Sequence, residues 1–189
     1  MEKIRFGMSS CDSQDLTEKD FKNFADAGVK ELELSFSEDR YDTLRWQEIK
    51  QRADQYGIHL WSFHLPFSPF SKINMASPEG EMRCYTLSYF EGLMQKAADI
   101  GIKNIVVHPS GEPYQENERA ERIKWAQESL EQLARTARRL GVTLAVENLP
   151  RTCLGRNSQE MKQLLSADDT LRVCFDTNHL LAQPAKEFI

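Results

Sequence analysis

The stretch 171-LRVCFDTNHLL-181 carries the reading of this chain. Its apolar, β-prone run Val173-Cys174-Phe175 halts at a carboxylate, Asp176, and His179 follows three residues later. Burying a carboxylate without a partner is costly, so a strand that ends on one needs a reason. The same ending recurs upstream. WSFH stops at His64, IVVH at His108 and LAVE at Glu147. The steps from His64 to His108, to Glu147 and to Asp176 are 44, 39 and 29 residues, each about one strand plus one helix.

Working outward, six short β-rich runs lie at 4–9, 30–36, 58–64, 104–108, 143–147 and 171–176. Helical patterns separate them. Over 116–140, Ile123, Ala126, Leu130, Leu133, Ala137 and Leu140 recur at spacings of three and four, one apolar stripe for packing on a sheet. The charges of that segment read as a solvated helix face. A second helix fits 16–28, with Asp15 or Thr17 as its N-cap and Gly28 at its end. Gly57, Gly101 and Gly141 each stand just before a strand, where a helix C-terminus favours a residue tolerant of positive φ. Strands alternating with helices predict parallel βα units, an α/β fold. Most runs are apolar on successive positions, as in strands covered on both faces of a βα barrel or a doubly wound sheet. Neither GxGxxG after the first strand nor GxxxxGK[ST] occurs, which removes the main support for dinucleotide and P-loop readings.

The totals bound the rest. The 189 residues suit one domain, 1–189, and 40% hydrophobic with 28% charged residues is the balance of a soluble globular protein. A net charge of −5 gives no basic footprint for nucleic acid. The opening MEKIRFGMSS lacks a positive region followed by an apolar core, and no apolar run approaches the ~20 residues of a membrane span. Cys11, Cys84, Cys153 and Cys174 are scattered, with no CxxC pair. A reduced, cytoplasmic setting is the expectation.

In a parallel barrel the C-terminal strand ends converge on one rim, where active sites sit. That rim would receive His64, His108, Glu147 and Asp176, with His179 on the following turn. Imidazole and carboxylate together suit a divalent ion, and Mn²⁺, Co²⁺, Zn²⁺ and Mg²⁺ all stay open. Bland readings compete. A single strand-end histidine is commonly a hydrogen-bonded structural residue, and Asp176 could cap a helix beginning near Asn178. Glu147 resists that treatment, and the fourfold coincidence favours one shared polar site. Further candidates are Glu33, facing the cavity or solvent, and Arg151 and Arg156 in the loop PRTCLGR, able to hold a phosphate or carboxylate. His59 falls on the opposite rim and reads as structural or exposed. Trp61 and Phe63 read as core, and Ser110-Gly111 offers backbone donors near the rim.

FHLPF around His64, VVHPSGEP around His108, VENLPRTCLG around Glu147 and CFDTNHLL around Asp176 resemble the xylose isomerase-like TIM barrels. Within that superfamily the closest likeness is to the sugar phosphate isomerase/epimerase group. Endonuclease IV shares the barrel and a similar ligand set. The resemblance runs along the whole chain in order. It implies that Glu147 is a metal ligand and catalytic acid–base and that Asp176 is a second ligand. It implies that His179 contacts substrate, or metal in the nuclease. His64 and His108 are implied as metal ligands in the nuclease and as pocket residues in the isomerases. The resemblance also implies a (β/α)8 barrel, of which six βα units are countable here. The seventh strand's histidine and the eighth's glutamate are absent, and a fragment of a longer protein is the favoured expectation. Unpaired first and sixth strands invite association, so a homo-oligomer is among the expected outcomes.

The function expected from this is a metal-dependent isomerase or epimerase of a sugar or sugar phosphate, working through an enediolate. The alternatives are phosphodiester hydrolysis at abasic DNA sites and a non-catalytic sugar-binding module. The acidic balance and the apolar loop FSPFSKINMASPEG argue for a small sugar over nucleic acid as partner.

Overall fold

The computed structural model describes residues 4–188. Six strands form one sheet in chain order: β1 (Gly7–Ser9), β2 (Glu31–Leu34), β3 (His59–His64), β4 (Asn104–Val107), β5 (Thr143–Glu147) and β6 (Arg172–Cys174). Every neighbouring pair is parallel. The helices between and after them are α1 (Glu18–Asp26), α2 (Trp46–Gln55), α3 (Gly80–Asp99), α4 (Arg119–Leu140), α5 (Ser158–Leu165) and α6 (Ala185–Phe188). A doubly wound sheet reverses its strand order at a switch point. Strictly sequential order has no such reversal, so the sheet is an arc of a (β/α)8-type barrel, six units long. Its edges are β1 and β6.

Two periodicities meet in the core. On the helix side of the sheet, Leu32, Leu34, Leu60, Phe63, Ile105, Val107, Leu144 and Val146 are buried. Phe90, Leu93, Met94 and Ala97 of α3 and Ala126, Leu130, Leu133 and Ala137 of α4 close over them. Each fully buried aliphatic or Phe side chain contributes about 1.5–3 kcal/mol. Thr17, not Asp15, caps α1: its Oγ1 accepts from the Asp20 amide at 3.3 Å while Asp20 Oδ2 accepts from the Thr17 amide at 2.7 Å. Asp15 pairs with Arg40 instead. The three glycines before strands do hold positive φ, +63° at Gly57, +91° at Gly101 and +65° at Gly141.

Several sequence expectations change. All strands but β5 are shorter than their apolar runs, and the first covers only Gly7–Ser9. The segment 116–140 begins as a 3₁₀ turn over Glu116–Glu118 before α4 starts. Its charges are not all solvated, because α5 and the loop before it bury Arg119. Phe63 is core, as expected, but Trp61 is not. A bulge adds one residue to β3 opposite the Leu32–Glu33 step, which breaks the alternation and leaves Trp61 on the concave face beside Ser62 and Asn104, where it is 38% exposed and lies 4.0 Å beneath the Arg5 guanidinium. Six strands leave that face as an open hollow of about 650 Å³. No described helix is long and apolar enough to cross a membrane, and all four cysteines are free thiols.

Candidate metal centre

Parallel pairing in register brings the strand ends to one rim. His64 is the last residue of β3, His108 follows the last residue of β4, and Glu147 ends β5. Asp176 lies two residues beyond β6, and His179 closes the 3₁₀ turn Thr177–His179. Glu147 is the hub. His64 Nε2 and His108 Nε2 approach its Oε2 at 3.0 and 3.1 Å. His179 Nδ1 lies 3.2 Å from its other oxygen, Oε1, and 3.6 Å from Asp176 Oδ2. Two donor groups therefore share one carboxylate: His64, His108 and Glu147, and then Glu147, Asp176 and His179. Within each, one donor atom per residue lies within 4.8 Å of the others.

The electrostatics follow from burial and proximity. Burial opposes ionisation of Glu147, but hydrogen bonds and charge from His108 and His64 outweigh it and hold the carboxyl well below the usual range. Burial also opposes a proton on His64, and there the Glu147 carboxylate wins, raising its pKa. For His108 burial prevails despite the Glu147 hydrogen bond, the neighbouring His64 charge adds to it, and the pKa falls.

Tautomers test whether a cation fits. His64 Nδ1 lies 2.7 Å from the Leu65 carbonyl, which can only accept, so Nδ1 carries the hydrogen. In the neutral ring Nε2 then presents a lone pair to a carboxylate oxygen. Two lone pairs 3.0 Å apart repel, and a proton or a metal ion on that side resolves the conflict. His179 is fixed likewise: Nδ1, the ring atom nearest Glu147 and Asp176, lies 2.9 Å from the Asn148 carbonyl and carries the hydrogen, so only Nε2 keeps a lone pair to coordinate or accept. Imidazole nitrogens and carboxylate oxygens are the donor chemistry of Zn²⁺, Mn²⁺ and Co²⁺, so the residues fit such an ion. Burial, followed by the charge of nearby carboxylates, pushes the thiols of Cys153 and Cys174 up to about 12, so neither is a ready thiolate ligand.

Above the hub opens a cleft of about 610 Å³. Phe67, Phe70, Leu149, Phe175 and Leu181 line its apolar walls, and Phe67 stacks on the His108 ring at 4.6 Å. Glu33 lines it too, its Oε2 accepting from Ser62 Oγ at 2.9 Å. Arg151 also lines it, with φ at +53°, but Glu112 holds its guanidinium through two hydrogen bonds. Arg156 pairs with Glu116 at 2.8 and 2.9 Å and does not line the cleft. Asp176 serves both readings at once: Oδ1 caps the turn by accepting from Asn178 N at 2.6 Å, while Oδ2 faces His179. Of the expected backbone donors at Ser110-Gly111, Gly111 N is taken. Gly111 N donates to Tyr114 Oη at 3.3 Å, and Ser110 Oγ accepts from Leu154 N. His59 is exposed and pairs with Glu31 at 2.6 Å, away from this rim.

Three contributors escape the sequence reading. Tyr41 donates through its hydroxyl to the His64 carbonyl at 3.0 Å, Phe67 stacks on His108, and Asn148 binds the chain around Asp176. Only Asn148 left a trace, as the residue following the strand-end glutamate.

Comparison with known proteins agrees with this architecture. A family model described as the xylose isomerase-like TIM barrel matches residues 21–188. A curated relative, "Probable endonuclease 4" of Acholeplasma laidlawii (strain PG-8A), is 27% identical over 146 residues, 74% of this chain and 48% of that protein. The chain thus spans about half the length of that relative. Among solved structures, a D-tagatose 3-epimerase-like protein superposes with a TM-score of 0.78 at 21% identity, covering 93% of this chain and 66% of that one. An L-ribulose 3-epimerase superposes with 0.77 at 18% identity, covering 97% and 64%. At those identities the two structures speak for the fold.

Proposed function

The chain belongs to the xylose isomerase-like TIM barrels, and on that premise we propose that it is a metal-dependent isomerase or epimerase of a sugar or sugar phosphate. One observation carries the reading: a buried carboxylate, Glu147, kept ionised by two imidazoles at the base of a cleft of small-molecule size. Glu147, Asp176, His64 and His108 would hold a divalent ion, which when bound supplies a Lewis acid that polarises a sugar carbonyl.

The chain's own residues do the rest. Ionised Glu147 is poised to take the proton from the carbon beside the carbonyl. The C–H electron pair then forms the C=C bond of an enediolate, and the carbonyl π pair moves to oxygen. Protonating the former carbonyl carbon, with the hydroxyl proton passing from its oxygen to the former carbonyl oxygen, gives the isomer; reprotonating the original carbon from the opposite face gives the epimer and needs a second acid. His179 Nε2, left with its lone pair by the Nδ1 bond to Asn148, is suited to accept from a sugar hydroxyl. His64 and His108 also border the substrate space, Glu33 offers a hydroxyl acceptor, and Arg151 with Glu112 borders the mouth. The aromatic walls suit the C–H faces of a sugar and exclude water.

The test is proton exchange. Incubated with ketoses, aldoses and their phosphates in D₂O with Mn²⁺, Co²⁺, Zn²⁺ or Mg²⁺, the protein should place deuterium beside the carbonyl. Glu147→Gln should abolish this with the fold intact by circular dichroism. Full exchange in Glu147→Gln, or none with any sugar in the wild type, removes the proposal.

A second reading, phosphodiester hydrolysis, draws on the two donor groups sharing Glu147, a frame for two ions, and on the endonuclease 4 relative. Against it stand Glu33, Glu112 and Asp176 in the cleft, the net charge of −5, and an arginine already paired. Incision of an abasic-site duplex, with two or more ions per chain by elemental mass spectrometry, would favour it over the isomerase.

A further inference from the structure

We infer that Asn148 is a positioning residue that sets the second donor group, holding Asp176 and His179 against Glu147. The inference rests on the metal-site reading above.

The need for such a residue comes from the sheet. The last β5–β6 ladder pair is Glu147 with Cys174, and one further bond, Asn148 N to Cys174 O at 3.3 Å, ends the pairing. Asp176 lies two residues further on, at a sheet edge, where no ladder fixes the backbone. Asn148 replaces the ladder with its side chain. Its Oδ1 accepts from Asp176 N at 2.7 Å, and its Nδ2 donates to Asp176 O at 2.9 Å. These two bonds from one amide imitate the exchange of backbone bonds between strands. The main-chain carbonyl of the same residue accepts from His179 Nδ1 at 2.9 Å. One residue therefore anchors both partners of Glu147 in that group and selects the tautomer of His179.

The side-chain identity follows. Asn148 is 1% exposed, and a buried amide costs stability unless both its ends are bonded. Aspartate has the same shape but no donor for the Asp176 carbonyl. Glutamine is one methylene too long, and alanine reaches neither atom. The Asn148 side chain makes no recorded contact with Glu147, His64 or His108, so the first donor group does not depend on it.

The test compares Asn148→Ala with wild type in the 189-residue chain, by calorimetric titration of Mn²⁺ or Zn²⁺ and, without metal, by imidazole ¹⁵N shifts and amide hydrogen exchange. Losing the outer support of a ligand lowers metal affinity about 10–100-fold. We expect that loss in Asn148→Ala, no further loss when it is added to Asp176→Ala, and a full additional loss when it is added to His108→Ala. Without metal, the Asn148 main-chain carbonyl survives in Asn148→Ala, so the Nδ1–H tautomer of His179 should persist, while the Asp176 amide, its side-chain acceptor gone, should exchange with solvent about tenfold faster than in wild type. Should Asn148→Ala not fold, Asn148→Asp, which removes the Nδ2 bond to the Asp176 carbonyl, carries the metal comparisons. Additive losses with Asp176→Ala, or unchanged exchange at the Asp176 amide, overturn the inference. If wild type binds no metal, the metal reading fails by itself, and the exchange comparison alone decides on Asn148.

Discussion

Replacing Arg119 with methionine would expose how the rim loop is held. The Arg119 guanidinium donates to Glu160 Oε1 from Nε at 2.9 Å and to Glu160 Oε2 from Nη2 at 2.7 Å. It donates again to the carbonyls of Thr152 and Cys153, each at 2.7 Å. Glu160 Oε2 also accepts from Gly155 N at 3.0 Å. The cluster pins the N-terminus of α4 to α5 and to the loop that carries Arg151. Both side chains are nearly enclosed, 7% and 12% exposed, so water does not replace a lost partner. Methionine keeps much of the apolar stem and leaves the buried Glu160 carboxylate with only the Gly155 amide in hydrogen-bond reach and the Arg156 guanidinium at 3.7 Å. Removing one member of such a buried pair costs about 3–5 kcal/mol, a large share of the 5–15 kcal/mol typical of a domain. Adding Glu160→Gln removes the stranded charge and should recover part of the loss. Urea unfolding followed by far-UV circular dichroism measures both variants, the midpoint shifting and the slope holding. A loss under about 1 kcal/mol in Arg119→Met, or no recovery in the double variant, would refute the claim that this ion pair organises the loop.

Three shorter predictions come from other parts of the structure. Tyr41→Phe deletes a buried hydroxyl that donates to the His64 carbonyl and accepts from Phe36 N, and should cost about 1–3 kcal/mol by urea unfolding; an unchanged midpoint would show that neither bond matters. Asp168 is held down to about 2, from an ordinary 3.8, first by Arg138 and then by Thr170. Its contribution is complete above pH 4 and fades as pH falls toward 2. Asp168→Asn should therefore lose up to about 1 kcal/mol at pH 7, the half-exposed arginine limiting the effect, and nothing at pH 2; equal losses at both would point to a cause other than charge. Gly155→Ala meets a φ of +81° and places Cβ 2.7 Å from Met161 Sδ, for a loss of about 1–3 kcal/mol in a thermal melt; a neutral substitution would mean the loop re-forms freely.

The frame of the site was legible because strand ends are written in residue type. His64, His108, Glu147 and Asp176 each follow apolar runs at βα spacing, and parallel register does the rest. What remained hidden depends on contacts far apart in the chain. Asn148 reads as the first letter of a loop; its function needs the Asp176 backbone 28 residues on. Arg119 falls four residues before Ile123, on the buried stripe of the helix, but its charge reads as solvated, and only the docking of α5 and the loop before it supplies the partners that let it be buried. Trp61 misled for a related reason. Composition marks a large aromatic as core, but the bulge in β3, which no sequence pattern announces, puts it on the concave side, which six strands leave open. Tyr41, within EDRYDT, has the surroundings of a surface turn and lies buried under His64.

Spatial order equals chain order throughout the sheet. As the polypeptide leaves the ribosome, each new strand finds its parallel partner already made, and no early strand waits for a late one. The donors emerge as His64, His108, Glu147, Asp176 and His179. Once β5 docks on β4, the first three stand together while Asp176 and His179 are still inside the ribosomal tunnel. If strands dock in that order, His64, His108 and Glu147 are assembled before Asp176 and His179 arrive, and any ion that the first three hold would steady the docking of β6 that follows.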